Sequence, residues 1–193
     1  FLAEITLDNL RADGALDERD FLDRATILCA LGQTVIISDC IQHKRLIAYF
    51  ADYKIARIGL AMGARKLQNI LWETSEANPD NLLAAFGEVF PKNVRFYVYP
   101  YLPAEARSAK EGPAKSETIP YQTSKNLPIP KAIHFLYDHL LENRNIVDIH
   151  GFNPEILDIY HKEVLSQIQQ GKSGWEEKVP PEVARLIKEK RLF

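Results

Sequence analysis

The sequence predicts an α/β fold on a small parallel sheet, and three observations predict it. Thr34-Val35-Ile36-Ile37-Ser38 is an apolar run bounded by Gly32 and Asp39, and a helical pattern follows over residues 41–53. Residues 56–62 repeat the run, Gly63 breaks it, and a second helical pattern starts at once. A third strand, residues 94–101, comes after a further helical stretch. Apolar strands alternating with helices read as parallel βαβ units. The expected layout is a small three-layer, Rossmann-like sheet with a helical C-terminal extension, in which residues 34–38, 56–62 and 94–99 are neighbouring parallel strands joined by right-handed crossovers.

Each element has a local reason. Residues 1–10 carry Leu2, Ile5, Leu7 and Leu10, a spacing that fits neither a helix nor a strand period cleanly. Asp17 is placed to cap a helix over residues 18–31, with Phe21, Leu22, Ala25, Leu28 and Cys29 on one stripe and Gly32 at C′. The helix over 41–53 is expected to bury Leu46, Tyr49, Phe50 and Tyr53. A short helix over 65–73 follows Gly63. Asn78-Pro79 supplies a cap and a first-turn proline for a helix with Leu82, Leu83, Phe86, Val89 and Phe90 on one face. In the third strand Phe96, Val98 and Pro100 alternate with Tyr97, Tyr99 and Tyr101.

Residues 102–128 are polar and proline-rich, and no period survives in them. A connection this long is functional or disordered, so residues 103–126 are expected to be the most mobile part of the chain or to order only over a ligand or partner. Three helical patterns close the sequence. The first holds Ile133, Leu136, Tyr137, Leu140 and Leu141, the second is capped by Asn153-Pro154, and Pro180-Pro181 opens the last. The organisation expected is an α/β core over 1–101, a flexible loop over 102–128 and an all-helical extension over 129–193 packed on the core.

Composition bounds the function. The formal net charge of −2 over 193 residues argues against a nucleic-acid binder, which would carry a basic stripe. No stretch approaches the ~20 apolar residues of a membrane helix, and no signal-peptide pattern opens the chain. Two cysteines, Cys29 and Cys40, are too few for a disulfide framework, so a soluble, reduced, cytoplasmic setting is expected. The opening residues look like the middle of a packed element. The chain is therefore expected to be the C-terminal lobe of a longer polypeptide, and the sequence leaves open whether the preceding part completes the site.

Gly32–Asp39, the step Arg45-Leu-Ile-Ala-Tyr49, Ile58-Gly59-Leu-Ala-Met-Gly63, Phe86-Gly87-Glu-Val-Phe90 and Tyr97-Val-Tyr-Pro100 together resemble the C-terminal half of a bacterial family. Its members carry the labels nicotinate-nucleotide adenylyltransferase or TonB-dependent receptor. The resemblance covers most of residues 1–101. Adenylyltransferases of that class use a His-x-Gly-His pair on the nucleotide phosphates, and none of His43, His134, His139, His150 and His161 forms one. An outer-membrane receptor would be a β-barrel of alternating strands, whereas this sequence reads as mostly helical. Where relatives tend to read Ser-Asn and then Tyr-Tyr-Arg, this chain has Ser38-Asp39 and His43-Lys44-Arg45.

In open parallel sheets, ligands sit beyond the strand carboxyl ends. Ser38 and Asp39 lie there, where a helix start favours an anion, although either residue also serves as a plain helix cap. Cys40 is a nucleophile candidate or a small buried residue. Gly59 and Gly63 allow close backbone approach to a ligand, with Arg65 or Lys66 pairing its charge, or they form a tight turn. Tyr97, Tyr99 and Tyr101 stack a base or sugar, or pack under helices. Lys44 and Arg45 read as a solvated face, and His134 with Asp138 is a poor metal pair.

Two function classes follow. In the first, the chain binds an anionic small metabolite or nucleotide at the strand carboxyl ends, through Ser38, Asp39, Arg45, Gly59, Gly63, Arg65 and Tyr99. In the second it is a non-catalytic interaction or scaffolding domain, docking on a partner or on its own copy as a homo-oligomer. No nucleophile, base and electrophile belong together, so the sequence leaves open whether it is an enzyme. No metal or cofactor is expected, and neither nucleic acid nor membrane is an expected partner.

Overall fold

Two small parallel sheets stand where the sequence pointed to one. The structure is a computed structural model and describes residues 1–6, 18–40, 42–103 and 121–193. In chain order the elements are β1 (Leu2–Thr6), α1 (Glu18–Ala30), β2 (Thr34–Ser38), α2 (His43–Asp52), β3 (Ile58–Gly63), α3 (Ala64–Ala77), α4 (Leu82–Val89), β4 (Val94–Tyr99), α5 (His134–Glu142), β5 (Ile146–Asp148), α6 (His161–Gln169) and α7 (Pro181–Lys190). β1 pairs with β2, and β3-β4-β5 form the second sheet, all parallel. The α/β class is as predicted, but residues 34–38 are not neighbours of β3. Their partner is the strand just before them, so one local βαβ unit closes on itself.

The chain divides into two compact units, residues 1–42 with 159–193, and residues 43–158. The breaks do not fall at the expected 101 and 128.

In the first unit, α1 connects β1 to β2. It ends in a Schellman motif: Gly32 has φ 74°, its N–H donates to the Cys29 carbonyl, and Gln33 N–H donates to the Leu28 carbonyl, both at 3.0 Å. The stripe expected on α1 is revised. Leu22 and Cys29 are exposed while Asp23 is buried, because Asp23 accepts the Phe193 N–H at 2.6 Å. Val164, Trp175, Val183, Ala184 and Ile187 form this unit's core, with Ile27 of α1 against them.

The second unit carries the larger core. Ile58, Val94, Phe96, Val98 and Ile146 of the sheet pack on Ile47 of α2, Leu67, Ile70 and Leu71 of α3, Phe86 and Val89 of α4, and Tyr137 and Leu140 of α5. The opposite sheet face holds Gly59, Ala61, Gly63, Arg95 and Tyr97, all exposed. Helices therefore cover one face, giving two layers rather than three. Strands added in sequence order in one direction, each by a right-handed crossover, put their helices on the same side.

Local boundaries shift for identifiable reasons. On α2 the buried pair is Leu46 and Ile47. Tyr49 and Tyr53 face outward, with their hydroxyls 3.1 Å apart. α3 runs past residue 73 to Ala77, and Asn78 closes it by donating to the Thr74 carbonyl at 3.2 Å. Asn78 thus ends one helix instead of opening the next, which begins after Asn81. Asn153 accepts the Glu155 N–H and opens only a 3-10 turn, Pro154–Ile156. Pro181 opens α7 as expected.

The segment expected to be all-helical contributes β5, whose Ile146 sits opposite Phe96. Within the expected mobile stretch, residues 104–120 lie outside the described residues. Tyr101 and Gln122 exchange backbone hydrogen bonds of 2.9 and 2.8 Å, and Ser124 is buried with its N–H on Asp148 Oδ1 at 2.8 Å. Residues 121–126 are therefore a hydrogen-bonded turn and not a loose one.

Candidate functional site

The carboxyl edge of the second sheet brings together three of the seven residues expected to form a site. Gly63 lies opposite Tyr99 and is the N-cap position of α3, where no side chain caps the helix. Arg65 donates to Tyr101 Oη at 3.3 Å, its guanidinium carbon 5.8 Å from that ring's centroid. Tyr99 meets Phe152 edge-on at 6.0 Å, and Phe152 meets Tyr121 at 5.7 Å.

The other four lie elsewhere. Ser38 and Asp39 belong to the first unit and its separate sheet. Ser38 is buried and donates to Glu4 Oε1 at 2.5 Å, so its hydroxyl ties the strand pair and caps no helix. Arg45 is exposed on α2, and Gly59 is near the amino end of β3. The expected crevice needed adjacent crossovers running to opposite faces. The order β3-β4-β5 has no such reversal. His134 and Asp138 approach to 3.6 Å, both more than half exposed. Among the described residues no three His, Cys, Asp or Glu are grouped to hold a metal ion.

A different site lies at the amino edge of the same sheet. A groove of about 560 Å³ runs along the turns that lead into the three strands. Arg57 enters from the turn before β3, Lys92 and Asn93 from the turn before β4, and Asn143, Arg144 and Asn145 from the turn before β5. Gly59, Arg95 and Tyr97 continue the lining onto the bare sheet face. Four cations thus share one concave surface with no carboxylate in its lining. Among the described residues, none of Arg57, Lys92, Arg95 and Arg144 pairs with an acid. Like charges gathered in a cleft focus a positive field there, even on a chain of slightly negative net charge.

Backbone hydrogen bonds hold these turns in place. Ile58 N–H donates to the Asn93 carbonyl at 2.9 Å, and Phe96 N–H to the Asn145 carbonyl at 2.7 Å. Asn93 donates its side-chain amide to the Ile55 carbonyl at 3.0 Å. Arg144 sits at φ 57° in the C′ position of α5, donating to Leu141, while Asn145 N–H reaches Leu140. This is the Schellman geometry that closes α1 at Gly32. An arginine there costs about 1 kcal/mol relative to glycine. Lys54 and Arg191 share such a positive φ.

No family model, curated protein or solved structure matches the chain. The site therefore rests on its own geometry.

The sequence reading missed this groove because its cations are spread from residue 57 to residue 144. A signal was nevertheless present. A basic residue stands one or two positions before each strand of the second sheet: Arg57 before Ile58, Lys92 before Val94 and Arg144 before Ile146. Parallel strands place all such positions on one edge.

Proposed function

We propose that this chain is a binding domain for an anionic small metabolite, held in the groove at the amino edge of the three-stranded sheet. The observation that carries this reading is the set of four cations around a groove whose lining contains no acid. The groove volume falls within the ~300–1,000 Å³ usual for small-molecule sites. Its cations and side-chain amides suit it to holding charge. The location replaces the carboxyl-end site expected from the sequence, because that expectation needed a strand-order reversal.

Calorimetric titration with tripolyphosphate at low ionic strength tests the proposal. Arg57→Ala and Arg144→Gly are each expected to weaken binding by about tenfold, since a charge-assisted hydrogen bond contributes ~1.5–3 kcal/mol. Arg65→Ala, at the opposite edge, should leave binding unchanged. Arg144→Gly should at the same time raise stability by up to ~1 kcal/mol, because glycine suits the positive φ. Lost binding in a more stable protein separates the site from the fold. The reverse ranking, with Arg65→Ala the damaging change, would move the site to the carboxyl edge. Absence of binding would leave the interaction-domain reading ahead.

A further inference from the structure

We infer that the groove's ligand is a free nucleoside polyphosphate, its base stacked on Tyr97 and its phosphates held by Arg57, Lys92 and Arg144. The inference rests on the groove being an anion site and adds what lies beside the charge.

Tyr97 projects from the bare face of β4, a face that parallel sheets ordinarily keep covered. In register it stands opposite Ala61, but its ring leans back toward the amino edge. There it lies against Gly59, where a Cβ would be 3.0 Å from Cε2 and 3.4 Å from Cδ2 of the ring. Glycine at 59 therefore leaves the space in which the ring lies, at the end of the sheet where the cations are. The ring is 37 % exposed, and its hydroxyl has no hydrogen-bond partner among the described residues. An exposed aromatic face beside cations matches a base joined to phosphates.

Two further groups fit the same ligand. Arg95 shares the bare face with Tyr97 and lines the groove. Asn145 lines it too, half-buried, and its side-chain amide makes no hydrogen bond to a described residue. That amide offers a donor and an acceptor to a base edge. Size and charge select a free nucleotide over a nucleic-acid strand. The groove has the volume of a single-ligand site, and the chain's net charge of −2 is unlike the basic balance of a nucleic-acid binder.

The test compares three probes by calorimetry: adenosine triphosphate, tripolyphosphate and a short single-stranded oligonucleotide, each against wild type, Tyr97→Ala and Tyr97→Phe. The nucleotide should bind about tenfold or more tighter than tripolyphosphate, the scale of one base–aromatic stack. Tyr97→Ala should abolish that margin while leaving tripolyphosphate binding intact, and Tyr97→Phe should restore it. Unaltered tripolyphosphate binding also shows that the alanine variant is folded. Equal affinity for nucleotide and tripolyphosphate in wild type would overturn the stacking inference and leave the anion site standing. An oligonucleotide that binds tighter than the nucleotide would overturn the assignment to a free nucleotide. Failure of all three probes would overturn the anion site as well.

Discussion

Tyr137 donates its hydroxyl to the carbonyl oxygen of Ser124, 2.5 Å away, and both residues are buried. Ser124 N–H donates in turn to Asp148 at the end of β5. One turn is thereby tied to α5 and to the sheet edge. Burial, then the charges of Asp148 and Asp138, push the Tyr137 phenol well above its ordinary range.

Tyr137→Phe removes that donor and leaves the Ser124 carbonyl without it. Stability is expected to fall by ~1–3 kcal/mol, the cost of stranding a buried acceptor. Urea unfolding reads this as a lower midpoint at unchanged slope. A loss within half a kcal/mol, the scale of an ordinary surface change, would mean that the carbonyl finds another donor.

Gly59→Ala separates the fold from the proposed stacking platform. The backbone at Gly59 is an ordinary strand, so the added methyl helps strand formation by ~0.5–1 kcal/mol, and the exposed Tyr97 ring is free to give way. The melting temperature should hold or rise while nucleotide affinity falls, because the ring no longer lies at the groove. Thermal unfolding and calorimetry on one sample check both. A fall in melting temperature with affinity unchanged would count against the role assigned to this pair.

Glu176 accepts from Lys188 Nζ at 2.7 Å and from Gly174 N–H at 2.9 Å. The Lys188 hydrogen bond first, then backbone N–H groups, lower its pKa from 4.5 to about 2. A folded pKa below the unfolded one stabilises above the unfolded value, and the contribution is lost as pH falls through the folded one. The melting-temperature gap between wild type and Glu176→Gln should be full at neutral pH and close between about 4.5 and about 2. A gap independent of pH would show that the charge contributes nothing. Added salt should narrow the gap, because the pair is partly exposed.

Some of this architecture was legible because it is local. Gly32 carries a positive φ at a helix end, Pro181 opens a helix, and the alternation of Phe96 and Val98 with Tyr97 and Tyr99 divides one strand between core and open face. The helix errors share a cause. Asn78 suits either end of a helix, and only the neighbouring Thr74 carbonyl decided which end it closes. Tyr49 and Tyr53 have apolar rings and polar tips, so periodicity alone could not tell inside from outside. Asp23 lay outside the stripe read as apolar, and it is buried where the distant Phe193 N–H meets its carboxylate, a contact no local pattern could show.

The sequence alone determined that apolar strands alternate with helices, hence the α/β class with parallel pairing, since those patterns are written in runs of a few residues. It also placed a basic residue just ahead of each strand of the second sheet. Tertiary structure decided which strands share a sheet, a choice set by pairing between segments that periodicity cannot rank. That choice sent Ser38 and Gly63 to different sheets, removed the strand-order reversal that a carboxyl-edge crevice needs, and left one sheet face bare. It also gathered Arg57, Lys92, Arg95 and Arg144 onto one edge, because strands running the same way bring their starting turns together however far apart those turns lie in the chain.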